Sequence, residues 1–125
     1  MENPEVIRSR LAQATGTEHY WRVFPENDKF LFTDGVKVMA EMCEAFWLIT
    51  SVFSWQSDEK VKNEQFQVWT LRFNDKEKGD EATLICEDGN DNELIRQEIS
   101  FTDFPLLEGV MLFLDNGVLM LTSEY

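Results

Sequence analysis

At 125 residues the chain has the length of one domain, and a hydrophobic fraction of 43% is enough for a core, which excludes a disordered chain. Its charge is lopsided, with 24 Asp plus Glu against 11 Lys plus Arg and a formal net charge of −13. Such a chain repels nucleic acid and anionic membrane, because phosphate contacts need cations, and it is drawn to basic surfaces.

Residues 1–10, MENPEVIRSR, lack the apolar core of a secretory signal, and the longest apolar run, 45–49, is far too short to span a bilayer. The expectation is a soluble, cytoplasmic protein. Asn3-Pro4-Glu5 starts a helix: Asn caps, Pro suits the first turn and Glu complements the dipole. Val6, Ile7, Leu11 and Ala14 follow at helical spacing, and Gly16 stops the run. HYWRVF at 19–24 is rich in β-formers, and Pro25-Glu26-Asn27-Asp28 reads as a turn. Residues 30–32 read either as a short strand or as the lead-in to a helix.

Residues 33–56, TDGVKVMAEMCEAFWLITSVFSWQ, predict one long helix capped by Thr33 or Asp34. At roughly 100° per residue, Val36, Met39, Ala40, Cys43, Phe46, Trp47 and Thr50 share a face that Met42, Ile49 and Phe53 widen. Asp34, Lys37, Glu41, Glu44 and Ser51 take the opposite face. Leu48 and Trp55 break that polar face. Either the N-terminal helix or a second subunit covers them, or they form an exposed apolar patch. Cys43, Phe46, Trp47 and Ile49 are expected core residues.

Beyond the polar stretch 57–63 the period changes to two. Phe66 and Val68 take one face of a strand, and Trp69, Leu71 and Phe73 the other. DKEKGD at 75–80 is a charged turn with Gly79. Ala82, Leu84 and Cys86 alternate with Thr83, Ile85 and Glu87, and the turn residues at 88–92 lead into a strand carrying Ile95, Gln97, Ile99 and Phe101. Thr102-Asp103-Phe104-Pro105 stops it. Asn116-Gly117 joins VMLFL and VLML, two runs that are continuously apolar, as in strands covered on both faces. The resulting fold is α+β: a single domain over 1–125, in which an N-terminal helix and a long central helix pack on a meander of about five antiparallel strands.

Chemistry-bearing patterns are sparse. A calcium loop starting at Asp88 needs Gly at its sixth position and Glu at its twelfth, where Glu93 and Ile99 stand. His19 is the single histidine and sits in an aromatic strand, which suits a structural role. Cys43 and Cys86 lack metal spacing and read as buried free thiols. No phosphate loop, dinucleotide fingerprint or nucleophile elbow occurs. The expectation is a protein without catalytic activity, cofactor or metal. Carboxylates are densest at Asp75, Glu77, Asp80, Glu81, Glu87, Asp88, Asp91 and Glu93, across two turns. They read either as solvated turns or as one anionic surface that meets a basic groove on another protein.

Several stretches carry a resemblance: TGTE at 15–18, FTDGV at 32–36, FWL at 46–48, SWQ at 54–56, FQVW at 66–69, FTDFP at 101–105 and the terminal LTSEY. With these the chain resembles a family of small, uncharacterised bacterial proteins, also met in phage and plasmid genomes and catalogued as a domain of unknown function. The resemblance implies one domain and a mobile-element setting, and it brings no catalytic residues. Joined to the charge, it suggests an acidic protein-binding module. The analogy is to anti-CRISPR or anti-restriction inhibitors that occupy a nucleic-acid-binding site. The expected partner is a basic protein surface, such as that of a nucleic-acid-binding complex, with no direct contact to nucleic acid or membrane; a dimer stays open. The alternative is a small-ligand module with an aromatic pocket built from Trp21, Trp47, Trp55 and Trp69.

Overall fold

The structure is a computed structural model and describes residues 3–75, 77 and 80–125. Helix α1, Pro4–Ala12, starts where the sequence places it: Asn3 Oδ1 accepts the Glu5 N–H at 2.8 Å. It ends at the Gln13 cap, short of Gly16, and buries Ile7. Strand β1 (Tyr20–Arg22) pairs antiparallel with β2 (Leu31–Thr33), Trp21 opposite Phe32. The segment at 30–32 is therefore mostly strand, and it runs directly into helix α2, Asp34–Met42, with Thr33 as N-cap.

The long helix expected over 33–56 is two helices. Helix α3 spans Phe46–Ser54. Between them Cys43 caps α2, Glu44 adopts φ +51°, and the Ala45 N–H donates to Ala40 O at 2.9 Å. This is a Schellman closure, with the residue after the cap left-handed and the next N–H reaching back to the third-last helical carbonyl. Glycine usually fills the left-handed position, and a glutamate there gives no warning in the sequence. The break resets the helical phase. Leu48, which a single helix sets on the polar face, is 1% exposed, whereas Phe46, expected in the core, is 49% exposed. Trp47 is half-buried; Cys43 and Ile49 are buried as expected.

Strands β3 (Phe66–Phe73), β4 (Ala82–Glu87), β5 (Glu93–Ile99), β6 (Val110–Asp115) and β7 (Val118–Leu121) follow, and a 3-10 turn covers Thr122–Glu124. Among the described residues these form one seven-stranded sheet in the order β1-β2-β7-β6-β3-β4-β5. The expected five-stranded meander is thus corrected twice. Strand β6 pairs with β3 rather than β5, so β3 to β6 make a Greek key. Strands β1 and β2 extend the sheet through a parallel pairing of β2 with β7. The continuously apolar β6 thereby reaches the middle of the sheet. At the β6–β7 turn Asn116 and Gly117 both have positive φ, as a two-residue hairpin of this hand requires, and a Cβ on Gly117 would lie 2.2 Å from Lys29 O. The charged turn expected at 75–80, Gly79 included, falls partly outside the described residues.

One face of the sheet carries Trp69, Leu71, Phe73, Leu84, Cys86, Leu112, Leu114, Leu119 and Leu121. It shares a single core with Val36, Met39, Ala40, Leu48, Ile49, Val52 and Phe53 of the two helices. The opposite face has no helical layer over it among the described residues.

Candidate functional site

The eight acidic candidates fall into two groups. Asp75, Glu77, Asp80 and Glu81 belong to the connection before β4, and Glu87, Asp88, Asp91 and Glu93 to the turn after it. Glu87 is itself the last residue of β4, so five residues separate it from Glu81, about 20 Å at strand rise, and the two groups stand at opposite ends of the strand. Several of these carboxylates serve their own turns. Asp75 Oδ1 accepts the Glu77 N–H at 2.9 Å. Asp88 accepts from the Asn92 side chain at 2.9 Å and the Asn90 N–H at 2.8 Å, and these bonds lower its pKa. Arg96 binds Glu93 at 2.6 Å and lowers its pKa likewise. Glu87 and Asp91 make no ion pair with the described residues.

The apolar patch proposed for Leu48 and Trp55 is absent. Leu48 is core, and the half-buried Trp55 donates its indole N–H to Gln97 Oε1 of β5 at 2.8 Å. The sheet, rather than the N-terminal helix or a second subunit, provides that contact, because the restarted helix turns both residues inward. Nor do the tryptophans converge. Trp21 stands on β1 and Trp55 meets β5, at opposite edges of the seven-stranded sheet, six strand spacings or roughly 29 Å apart. Trp69 is fully buried, and Trp47 borders a shallow cleft with Ile99 and Phe101.

Stretches that carry the resemblance meet in two polar knots, which periodicity gave no means to foresee. The first closes the start of α2. Asp34 accepts from the Trp21 indole N–H at 2.9 Å and from the Glu18 and His19 N–H groups at 3.0 and 3.2 Å. These bonds, the indole first, pull its carboxyl down to about 2. Glu124 accepts from the Thr33 hydroxyl at 2.6 Å, the Gly35 N–H at 3.1 Å and the Leu121 N–H at 2.9 Å. The anion-seeking end of α2 is thus filled by the chain's own carboxylates. His19 lies at its rim, exposed, with Nδ1 3.6 Å from Asp34.

The second knot lies in the core. Gln67 is 1% exposed on the covered face of β3. It exchanges amide hydrogen bonds with Gln56 at 2.9 and 3.0 Å and accepts the Trp69 indole N–H at 2.8 Å. Its amide also donates to the carbonyls of Val61 and Glu64. A cleft of about 540 Å³ opens beside this pair, between Lys29, Lys62 and Leu114. Its two glutamines are satisfied by each other and by the backbone and Trp69.

The uncovered face of the sheet is more unusual. Phe66, Phe113 and Tyr125 touch there with ring centroids 5.2 to 5.5 Å apart. Met111 beside them is 48% exposed and Tyr125 71%. Asp115 stands directly across from Phe66 in the sheet register, and Glu87 across from Val68.

The two cysteines are not placed as nucleophiles. Both thiols are free and buried, and burial pushes Cys43 up to about 11 and Cys86, with help from Glu64, Glu87 and Asp88, up to about 12. Among the described residues no three His, Cys, Asp or Glu side chains gather as metal ligands. No helix among them is long and apolar enough to cross a membrane.

Residues 5–125 match the model of a family of unknown function, DUF6876. The chain belongs to that family. No curated protein and no solved structure matches it. Membership in DUF6876 assigns no activity to any residue, so what the chain does has to be argued from its surface.

Proposed function

We propose that the protein is a non-catalytic binding module that captures a cationic protein surface, of the kind that otherwise holds nucleic acid. The observation that carries this reading is the unneutralised acid at the outer end of β4. Glu87, Asp91 and the neighbouring Asp115 have no ion-pair partner among the described residues, in a chain of net charge −13. Self-repulsion of this kind is relieved by a partner of opposite sign, and the gain appears chiefly in the association rate. The buried, raised thiols support the non-catalytic part, because a thiol with a pKa near 11 is not a nucleophile at neutral pH. An inhibitor that occupies a nucleic-acid site is the finer form of this proposal.

The test is affinity capture from host lysate, followed by association kinetics with the purified partner over a salt series. The expected result is a capture rate that falls steeply as salt rises. A rate indifferent to salt overturns the reading.

A further inference from the structure

We propose that the uncovered sheet face around Phe66, Phe113 and Tyr125 is the docking surface, and that its occupant is an arginine- or lysine-bearing apolar segment of another protein. This rests on the reading above and names the surface through which the module acts.

The first argument is the strand pattern. An antiparallel sheet with one solvated face normally alternates apolar and polar residues. Strands β6 and β7 do not: Met111, Phe113 and Met120 point away from the core while Leu112, Leu114, Leu119 and Leu121 point into it. These strands are written for cover on both sides, and the fold covers one. From strand spacing and rise, the open area over β7, β6 and β3 that carries Met120, Phe113, Met111, Phe66 and Val68 is roughly 14 Å by 20 Å, about 280 Å², and β4 adds little to it because Ile85 there is buried. That is the scale of the largest apolar patch on an ordinary monomer, which is often functional, and here it is rimmed by charge. It is about a third of what each partner contributes to a stable globular interface, so it suits a segment.

Charge selects the occupant. Asp115 and Glu87 face the aromatic cluster from the same side of the sheet. The turn carrying Asp88 and Asp91 abuts it, since a Cβ on Gly89 would lie 3.2 Å from the Phe66 ring. The cations on this face are displaced: Arg72 lies at the far end of β3, about 13 Å beyond Val68, and Arg96 is held by Glu93. A second copy of the chain would bring the same carboxylates against these, at −13 per subunit, and is disfavoured. Nucleic acid is repelled for the same reason. A cationic segment satisfies both parts of the surface: guanidinium or ammonium groups meet the carboxylates and the ring faces, and apolar side chains cover Met111 and Phe113.

The experiment uses the full chain and a fluorescently labelled alternating arginine–leucine octapeptide as probe, with an alternating serine–leucine octapeptide as control, read by anisotropy. Three paired variants are compared: Met111→Ser with Tyr125→Ala, Asp115→Asn with Glu87→Gln, and Glu26→Gln with Glu77→Gln, which removes the same charge away from the face. The expected result is arginine–leucine binding that the first two pairs each weaken about tenfold and the third changes less than about twofold. If both acidic pairs weaken binding alike and the Met111/Tyr125 pair leaves it unchanged, this face is overturned while charge-driven capture stands. If the arginine–leucine peptide does not bind, or binds no better than the serine–leucine one, both are overturned. Should the Met111/Tyr125 pair unfold, amide chemical-shift mapping of the unmodified protein decides. Shifts centred on Phe66, Phe113 and Tyr125 support the face, and shifts centred elsewhere overturn it.

Discussion

Replacing Gln67 by methionine tests whether the glutamine knot holds the core together. The side chains are close in volume, so packing changes little and the polar loss dominates. The Trp69 indole N–H, buried with its acceptor, loses that acceptor, and a buried orphan donor costs about 1–3 kcal/mol. The part-buried Glu64 carbonyl loses a donor, at about 1 kcal/mol more, while the Val61 carbonyl keeps the Glu64 N–H at 2.9 Å. Gln56 can still donate to Val52 O at 3.0 Å. The sum is a destabilisation of about 2–4 kcal/mol, measured by urea unfolding with an unchanged slope. A double-mutant cycle with Trp69→Phe isolates the indole bond: once the donor is gone the Gln67→Met loss should shrink by about 1 kcal/mol or more. If Gln67→Met unfolds within about 0.5 kcal/mol of the parent, the knot is incidental and the reasoning fails.

Three further outcomes are expected. Glu44→Gly relieves a left-handed glutamate worth about 1 kcal/mol, partly offset by the flexibility glycine adds to the unfolded chain, so it should melt at or above the parent temperature; a clear drop in melting temperature would show that Glu44 does more than close the helix. Leu48→Ala should cost about 2–5 kcal/mol and Phe46→Ala far less, an order that one unbroken helix would reverse. Asp34 has a folded pKa of about 2, below its usual value, so its contribution to stability is present above about pH 4 and is lost as pH falls towards 2. Asp34→Asn should therefore flatten the acid limb of the stability curve, and an unaltered limb would assign acid sensitivity to other carboxylates.

What was legible in the sequence was local. Asn3 and Thr33 announce helix starts through side-chain capping, and Asn116-Gly117 announces a hairpin because few other pairs tolerate two positive φ angles. The two-residue period of β3 correctly separated Phe66 and Val68 from Trp69, Leu71 and Phe73. The helix break was hidden because its left-handed residue is a glutamate. Its trace was Leu48 and Trp55 on a polar face, a mismatch that belonged to the wrong helical phase. The strand order was hidden because pairing β6 with β3 is a long-range choice that no local pattern encodes. The carboxylate-rich stretches are plain in the sequence, but their placement at opposite ends of β4 follows from the strand between them. The aromatic face needed Tyr125 and Phe66, distant in sequence, to be brought into contact.

The parallel pairing of β2 with β7 also constrains the order in which the chain can mature during synthesis. Strand β2 leaves the ribosome early, together with α2, but on one side its partner is built from residues 118–121, and the first turn of α2 is closed by Glu124. An elongating chain can form local helix and the β3–β4–β5 hairpins, but it cannot finish the helical layer until its last strand is free. At translation rates of about 5–20 residues per second, the nascent chain therefore holds the apolar side of α2 and α3 incompletely covered for several seconds. Chaperone dependence should accordingly persist until residues 118–124 are free, and a chain stalled before residue 118 should be the form most readily cleared by proteases.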